Sequence, residues 1–184
     1  MKNSALLTIF LLILSPSLYA DTQTTITNTK KTAEPVTKPQ ILSEIQSKEP
    51  RQSTVFERRI KRDTGQVYKQ LFTALENNGY FVVFETNIGK NLSRFAQRWG
   101  DDYNKNKLES IRSMIFCNGW YANQVSNYDP KMLALCPMHI TVTHKKGITS
   151  ILYVRPSQIA VDSPAKKVAE ELELDVVRII KQIP

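Results

Sequence analysis

Residues 133–144 read LALCPMHITVTH, residues 145–147 read KKG, and residues 148–154 read ITSILYV. Apolar and polar side chains alternate along both longer stretches, which is typical of strands that bury one face. A short turn with a glycine between two such strands predicts a β-hairpin. We therefore expect the two strands to belong to an antiparallel sheet.

The residues after the hairpin predict a long C-terminal helix. Ser163 is placed to cap it, and Pro164 suits the first helical position. Apolar residues then recur at helical spacing and form one stripe: Val168, Ala169, Leu172, Val176, Ile179, Ile180 and Ile183. Acidic residues come early in this segment and basic residues late, which matches the helix dipole. We expect the helix to pack on one face of the sheet.

The chain before the hairpin predicts three more strands, at residues 54–62, 80–85 and 110–117. The 80–85 strand is apolar on both faces at first, so we expect it in the middle of the sheet. Helical spacing predicts a helix between the first two strands, a second over residues 88–99 and a short third over residues 120–128. The order strand, helix, four strands, helix, with two short helices inserted, predicts an α+β domain with a curved, mainly antiparallel sheet.

The first 20 residues are predicted to be a secretory signal peptide. Lys2 precedes a short apolar run, and Ala20 suits the position before the cleaved bond. The run is shorter than the ~20 residues that a membrane-spanning helix needs. We therefore expect an exported, periplasmic protein that is not integral to the membrane after cleavage, with an uncleaved anchor as the alternative.

Residues 21–52 are predicted to be a disordered basic linker, and residues 53–184 the folded domain. The linker is rich in polar residues and lacks aromatic ones, so it cannot bury enough apolar surface to become ordered. Basic residues outnumber acidic ones by nine to five over residues 21–62, but only by fifteen to twelve over residues 63–184. The basic charge is densest at residues 58–62. We therefore expect it ahead of the folded domain, and no nucleic-acid-binding face on the domain.

Two cysteines, Cys117 and Cys136, lie at the ends of predicted strands that are consecutive in the chain. If those strands are antiparallel neighbours, the two thiols meet at one edge of the sheet and a disulfide is feasible, whereas a parallel crossover keeps them apart. Paired cysteines are usual in an oxidising compartment. A redox-active or ligand-binding thiol pair is the alternative, with Lys131, His139 and a possible helix N-terminus as the neighbouring activators.

Several residues near the cysteines suit a binding site. Met138 and His139 follow Cys136 closely, and thiolate, thioether and imidazole groups are copper ligands. Strand alternation places His139 on the face opposite Met138, which argues against a shared metal site. Trp120 suits either the wall of a ligand pocket or a dimer interface. The candidate ligand or redox site consists of Cys117, Asn118, Trp120, Cys136, Met138 and His139.

Three motifs in a fixed order resemble a known family. They are Ile115-Phe116-Cys117-Asn118-Gly119, then DPKMLALCP at residues 129–137, then Val154-Arg155-Pro156. Together with a helix that ends at Asn78-Gly79-Tyr80, they are similar to the domain of unknown function 302 family over residues 54–184. The resemblance implies a small β-α-β4-α domain and a homodimer, and it implies no established activity.

The chain departs from the family pattern at both cysteines. The family has Cys-Asn-Pro where this chain has Cys117-Asn118-Gly119, and Leu-Pro-Cys where this chain has Leu135-Cys136-Pro137. A one-residue offset in a strand moves a side chain to the opposite face. No family role is therefore carried over to Cys136.

Two functions are consistent with these residues, of which the first is expected and the second is its alternative. The first is an exported binding or accessory module whose cleft holds a small ligand or an envelope protein partner. The second is a thiol redox or metal-handling protein that uses Cys117 and Cys136. The sequence has no Cys-x-x-Cys motif, no Gly-rich phosphate loop and no catalytic-triad pattern, so a non-enzymatic role is expected and no cofactor is specified.

Overall fold

A computed structural model describes residues 52–184 of the chain. The predicted signal peptide, residues 1–20, lies outside these residues, and so does the predicted linker apart from its last residue. Among the described residues, no helix combines the length and the apolar character needed to cross a membrane.

Five strands of the described region form one open sheet. They are β1 (Val55–Ile60), β2 (Phe81–Thr86), β3 (Ser110–Cys117), β4 (Met138–Lys145) and β5 (Ile148–Val154). Their order across the sheet is β1-β5-β4-β3-β2, and each strand is antiparallel to its neighbours. The predicted α+β class with an antiparallel sheet is confirmed.

Helices connect and cover these strands. They are α1 (Thr64–Asn77), α2 (Ile88–Ser93), α3 (Ala96–Trp99), α4 (Gly119–Tyr128), α5 (Pro156–Ile159) and α6 (Lys166–Lys181). Two short 3-10 helices, Gly100–Asp102 and Pro130–Leu135, lie before β3 and β4. The helix predicted over residues 88–99 is therefore two short helices.

The hydrophobic core lies between the helices α1 and α6 and one face of the sheet. Alternation along β3 and β4 brings Met114, Phe116, Ile140 and Val142 to this face, and all four are fully buried. Burial of each such side chain stabilises the fold by about 1.5–3 kcal/mol. The predicted apolar stripe of α6 is confirmed as buried: Val168, Ala169, Leu172, Val176, Ile179 and Ile180.

The opposite face of the sheet, here called the open face, carries the remaining side chains of each strand. Phe84, Ile115 and His139 lie side by side across β2, β3 and β4. Phe84 and His139 are exposed and Ile115 is half-buried. The sheet thus has one face in the core and one face with accessible side chains, as is common for antiparallel sheets.

The prediction that the 80–85 strand is central is wrong, because β2 is an edge strand. Its apolar side chains Phe81, Val83 and Phe84 are 63%, 59% and 58% exposed. The register shifts between Val82 and Phe84, which places Val83 in a bulge, and bulges are common at sheet edges. The apolar pattern on both faces marks an accessible edge of the sheet here.

The strand predicted over residues 133–144 begins later, at Met138. Asp129 caps the preceding 3-10 helix, because its Oδ1 accepts a hydrogen bond from the Lys131 amide at 3.2 Å. Pro137 cannot donate a ladder hydrogen bond, and its peptide bond with Cys136 is cis. Cys136 therefore lies outside the strand, where alternation does not govern its direction.

The C-terminal helix also begins later than predicted, at Lys166 instead of Pro164. The Ser163 hydroxyl accepts a hydrogen bond from the Ala165 amide at 3.1 Å and donates one to Asp129 Oδ2 at 2.6 Å. Ser163 therefore caps a turn ahead of α6 and ties that turn to Asp129.

The dense basic run at residues 58–62 belongs to the folded domain, which corrects the expectation that it lies ahead of it. Arg58 Nη1 donates to the Ile180 carbonyl at 2.5 Å, and Arg62 Nη1 donates to the Pro184 carbonyl at 2.8 Å. These arginines satisfy carbonyl groups at and beyond the end of α6, which lack partners within the helix. The run therefore has a structural role.

His144 lies near the end of β4, beside the hairpin turn. Its side chain is only 16% exposed. Its Nδ1 lies 2.8 Å from the hydroxyl of Thr149, which is fully buried and donates to the Arg62 carbonyl at 2.7 Å. His144 thus joins the end of β4 to the start of α1.

Candidate functional site

The antiparallel pairing of β3 and β4 brings the two cysteines together. Cys117 is the last residue of β3, and Cys136 lies two residues before β4. The two Sγ atoms are 2.9 Å apart, and both thiols are free and half-buried. Of the two connections left open by the sequence, the antiparallel one holds.

Asn118 fixes the position of Cys117 at the strand end. Its Oδ1 accepts a hydrogen bond from the Tyr121 amide at 3.1 Å, which caps α4, and its Nδ2 donates to the Gly79 carbonyl at 2.9 Å. Gly79 has a φ of 77°, a conformation that favours glycine. One side chain therefore ties the thiol segment both to α4 and to the turn before β2.

Burial raises the pKa of the Cys136 thiol from its ordinary value of 9.0 to about 12, and the hydrogen bond with the Cys117 thiol and the charge there act in the same direction. Cys136 therefore keeps its proton at neutral pH. Cys117 directly precedes the N-terminus of α4, where the helix dipole favours negative charge. The two thiols thus lie in different electrostatic surroundings.

A small apolar cavity of about 30 Å³ lies on the core side of Cys136. It is bounded by residues of α4, the following 3-10 helix, β4, α5 and α6: Asn118, Tyr121, Ala122, Val125, Met132, Leu135, Met138, Pro156, Ala160, Ala165, Ala169 and Leu172. Ligand pockets usually have volumes of roughly 300–1,000 Å³. This cavity therefore gives no support to a small-ligand cleft beside Cys136.

Met138 and His139 do not join the cysteines in one cluster. Met138 is buried on the core face, where its sulfur accepts a hydrogen bond from the Tyr153 hydroxyl at 3.4 Å. His139 is exposed on the open face opposite Ile115. Within residues 52–184, no three His, Cys, Asp or Glu side chains lie close enough to hold a metal ion.

Comparison with known families covers nearly the whole described region. Residues 56–183 match the model of the domain of unknown function DUF302. The chain belongs to this family. The DUF302 fold is also that of an uncharacterized conserved protein from Bacillus stearothermophilus, whose crystal structure matches with a TM-score of 0.62 and 18% sequence identity. The match covers 72% of this chain and 100% of that one. The comparison with curated proteins finds no match.

In this DUF302 domain the two aromatic residues after Gly119 have different roles. Tyr121 stacks on Tyr80 with ring centroids 6.4 Å apart, and so belongs to the core. Trp120 is 67% exposed and lines a surface groove of about 300 Å³ between α4 and α6, with Tyr128, Pro164 and Lys167. Trp120 therefore lines the groove and not the cavity that borders Cys136.

A buried ion pair between Arg155 and Glu173 lies elsewhere in the DUF302 domain, and the sequence patterns do not predict it. Arg155 Nη1 lies 2.5 Å from Glu173 Oε1, and the two side chains are only 12% and 7% exposed. Glu173 also accepts hydrogen bonds from the amide and hydroxyl of Ser157. Helical spacing places Glu173 among the early acidic residues of α6, which the helix dipole explains, so the sequence carries no separate signal for its burial.

Proposed function

We propose that this DUF302 domain is an exported, periplasmic dithiol–disulfide module, in which Cys117 and Cys136 pass an electron pair to or from a partner thiol or disulfide. The observation that supports the proposal is the distance of 2.9 Å between two free Sγ atoms. The predicted signal peptide supports the location, and disulfides form and persist in such an oxidising compartment.

The geometry suits reversible oxidation. A disulfide joins two sulfur atoms about 2.05 Å apart, so bond formation requires the two Sγ atoms to approach by less than ~1 Å. The two cysteine thiols then lose two electrons and two protons. The partner disulfide takes up both and leaves as two thiols. No metal or organic cofactor is needed for this exchange.

The alternative is a permanent structural disulfide, and the two differ in reduction potential. Structural disulfides in secreted proteins have potentials below about −300 mV, whereas exchange-active pairs span about −120 to −270 mV. The deciding experiment equilibrates the mature protein in thiol–disulfide buffers of graded potential. Free thiols are then alkylated, and the oxidised fraction is read from the intact mass.

We expect half-oxidation at a potential above about −270 mV. Oxidation that persists below about −300 mV would assign Cys117 and Cys136 a structural role and overturn the proposal. The double variant C117S/C136S is the matched control, because it keeps the volume of both side chains nearly unchanged and must show no mass change on alkylation.

A second candidate function, association with a second copy, is favoured by the exposure of Trp120. Large aromatic side chains are enriched where proteins associate, and a 67% exposed tryptophan on a helix is a strong anchor for such a contact. The homodimer implied by the family resemblance stays a prediction. Here it is assigned to the groove between α4 and α6.

Sedimentation of the W120A variant tests this second candidate. We expect the dissociation constant of the dimer to rise at least about tenfold, because truncation of an interface anchor costs more than about 1.4 kcal/mol. The control is W99A, which removes a tryptophan that is 40% exposed on α3. Equal effects of the two variants, or a wild-type monomer at all concentrations, would exclude Trp120 as the anchor.

A further inference from the structure

We infer that Cys117 is the thiol that exchanges with the substrate, that Cys136 is the thiol that resolves the mixed disulfide, and that the substrate is a disulfide flanked by apolar residues of a polypeptide. This inference rests on the proposed dithiol function. It assigns a role to each cysteine and a chemical class to the partner.

The two thiols have different neighbours. Cys136 borders the small apolar cavity, whose walls include residues of α4, α5 and α6. Cys117 ends β3 opposite Phe81 of the edge strand, on the side of the open face. A disulfide-bearing peptide that docks on the apolar edge strand therefore lies beside Cys117, the cross-strand partner of Phe81.

The protonation of the pair agrees with these roles. The attacking group in disulfide exchange is a thiolate. Burial raises the pKa of Cys136, which disfavours its thiolate.

The surface next to Cys117 specifies the class of substrate. Phe81, Val83 and Phe84 are each more than half exposed, and Phe81 is the cross-strand partner of Cys117. No acidic or basic side chain of β2 precedes Glu85. An apolar segment of a polypeptide gains contact area on this surface, whereas a small anionic disulfide such as oxidised glutathione does not.

The exchange takes place in two steps, which together transfer two electrons to the substrate disulfide. The Cys117 thiolate attacks one sulfur of the substrate disulfide, a mixed disulfide forms at Cys117, and the other substrate sulfur leaves as a thiolate that takes a proton. Cys136 then loses its proton to solvent and attacks the Cys117 sulfur. The second substrate thiol leaves, and the Cys117–Cys136 disulfide remains with two electrons transferred to the substrate.

Trapping with single-cysteine variants tests the assignment of roles. Reduced C136S and C117S are each mixed with a disulfide-linked peptide that carries phenylalanine or leucine beside each cysteine, and the products are weighed by mass spectrometry. We expect C136S to form the mixed disulfide at least about tenfold faster than C117S, since Cys117 lies beside the apolar edge on which the peptide docks. Equal rates, or faster trapping by C117S, would overturn the assignment and leave the proposed function intact.

A second measurement tests the substrate class in the wild-type chain. The F81S variant should oxidise about tenfold more slowly with the apolar peptide and at an unchanged rate with oxidised glutathione, because only the peptide contacts the apolar surface. L174S is the matched control, since Leu174 is 69% exposed on α6. Equal rates for F81S and L174S with the peptide, or a wild-type preference for glutathione, would overturn the substrate class. Failure of the wild type to oxidise with either substrate would instead contradict the proposed function.

Discussion

The two edges of the sheet are built differently. On the β1 edge, Arg58 donates to a carbonyl of α6, and Glu57 and Arg59 present charges outward. On the β2 edge, Phe81, Val83 and Phe84 are exposed. Charged side chains discourage strand-to-strand association, whereas apolar ones permit contact. The charged β1 edge therefore opposes association with another strand. The apolar β2 edge, which lies beside the thiol pair, permits it.

The largest effect on stability is expected from removing the buried ion pair beside β1. Arg155 packs over the ring of Phe56, 5.3 Å from its centroid, and its amide donates to the Thr54 carbonyl at 2.8 Å. R155M leaves the buried Glu173 carboxylate without its cation, and we expect a loss of about 3–5 kcal/mol of unfolding free energy. Urea denaturation measures it.

A matched double variant shows whether the charge or the packing matters. R155M/E173L removes both charges, so we expect it to recover most of the stability lost in R155M. A double variant as unstable as the single one would show that packing of the guanidinium on Phe56, not the unpaired carboxylate, carries the effect.

A smaller loss is expected from R58M on the same edge. This variant removes the charged donor to the Ile180 carbonyl, which keeps the longer hydrogen bond from the Ile183 amide at 3.3 Å, and a hydrogen bond from a charged group contributes about 1.5–3 kcal/mol. Urea denaturation again measures the change. R59M is the control, because Arg59 is 65% exposed and lies 4.0 Å from Glu57. Equal destabilisation by both variants would argue against closure of the edge by Arg58.

Beside the accessible β2 edge, the Cys136 thiol makes folding stability depend on pH. Below pH 9 both the folded and the unfolded chain keep the Cys136 proton. Above pH 9 the unfolded chain releases it while the folded chain holds it until about pH 12, so folding stability falls as the pH rises between these values. We expect the stability difference between reduced wild type and C136S to shift against the wild type from pH 8 to pH 10. A difference that does not change with pH contradicts the buried, protonated state of Cys136.

The smallest effect on stability is expected on the β2 edge itself. V83K replaces a 59% exposed side chain in a bulge, so we expect a change within about 0.5 kcal/mol. Self-association at high concentration should decrease, because a lysine on an edge strand opposes edge-to-edge contact. Light scattering measures the second effect. A loss as large as that of R58M would show that the edge is needed for folding.

The sequence predicts the elements that have one buried face. The alternation of Met114 and Phe116 locates β3, and the spacing of Leu172, Val176 and Ile179 locates α6, because burial on one side produces a regular period. The meeting of the cysteines also follows once β3 and β4 are antiparallel.

Elements without that regular period are harder to place. An apolar run on both faces describes a central strand and an exposed edge equally well, so β2 is misplaced. The 3-10 helix ahead of Cys136 has no hydrophobic period of its own. Its capping residue Asp129 is held by a hydrogen bond from Ser163, 34 positions away in the chain. The burial of Glu173 likewise depends on Arg155 and Ser157, which local patterns do not connect to it.

The contacts of Thr149 have a consequence for the imidazole beside it. A hydroxyl has one hydrogen to donate, and Thr149 donates it to the Arg62 carbonyl, so its oxygen must accept from His144 Nδ1. Neutral His144 is therefore the tautomer that carries its hydrogen on Nδ1, and its Nε2 lies 3.6 Å from Glu109 Oε2. Nitrogen-15 chemical shifts of the ring report this arrangement directly, without any change to the chain.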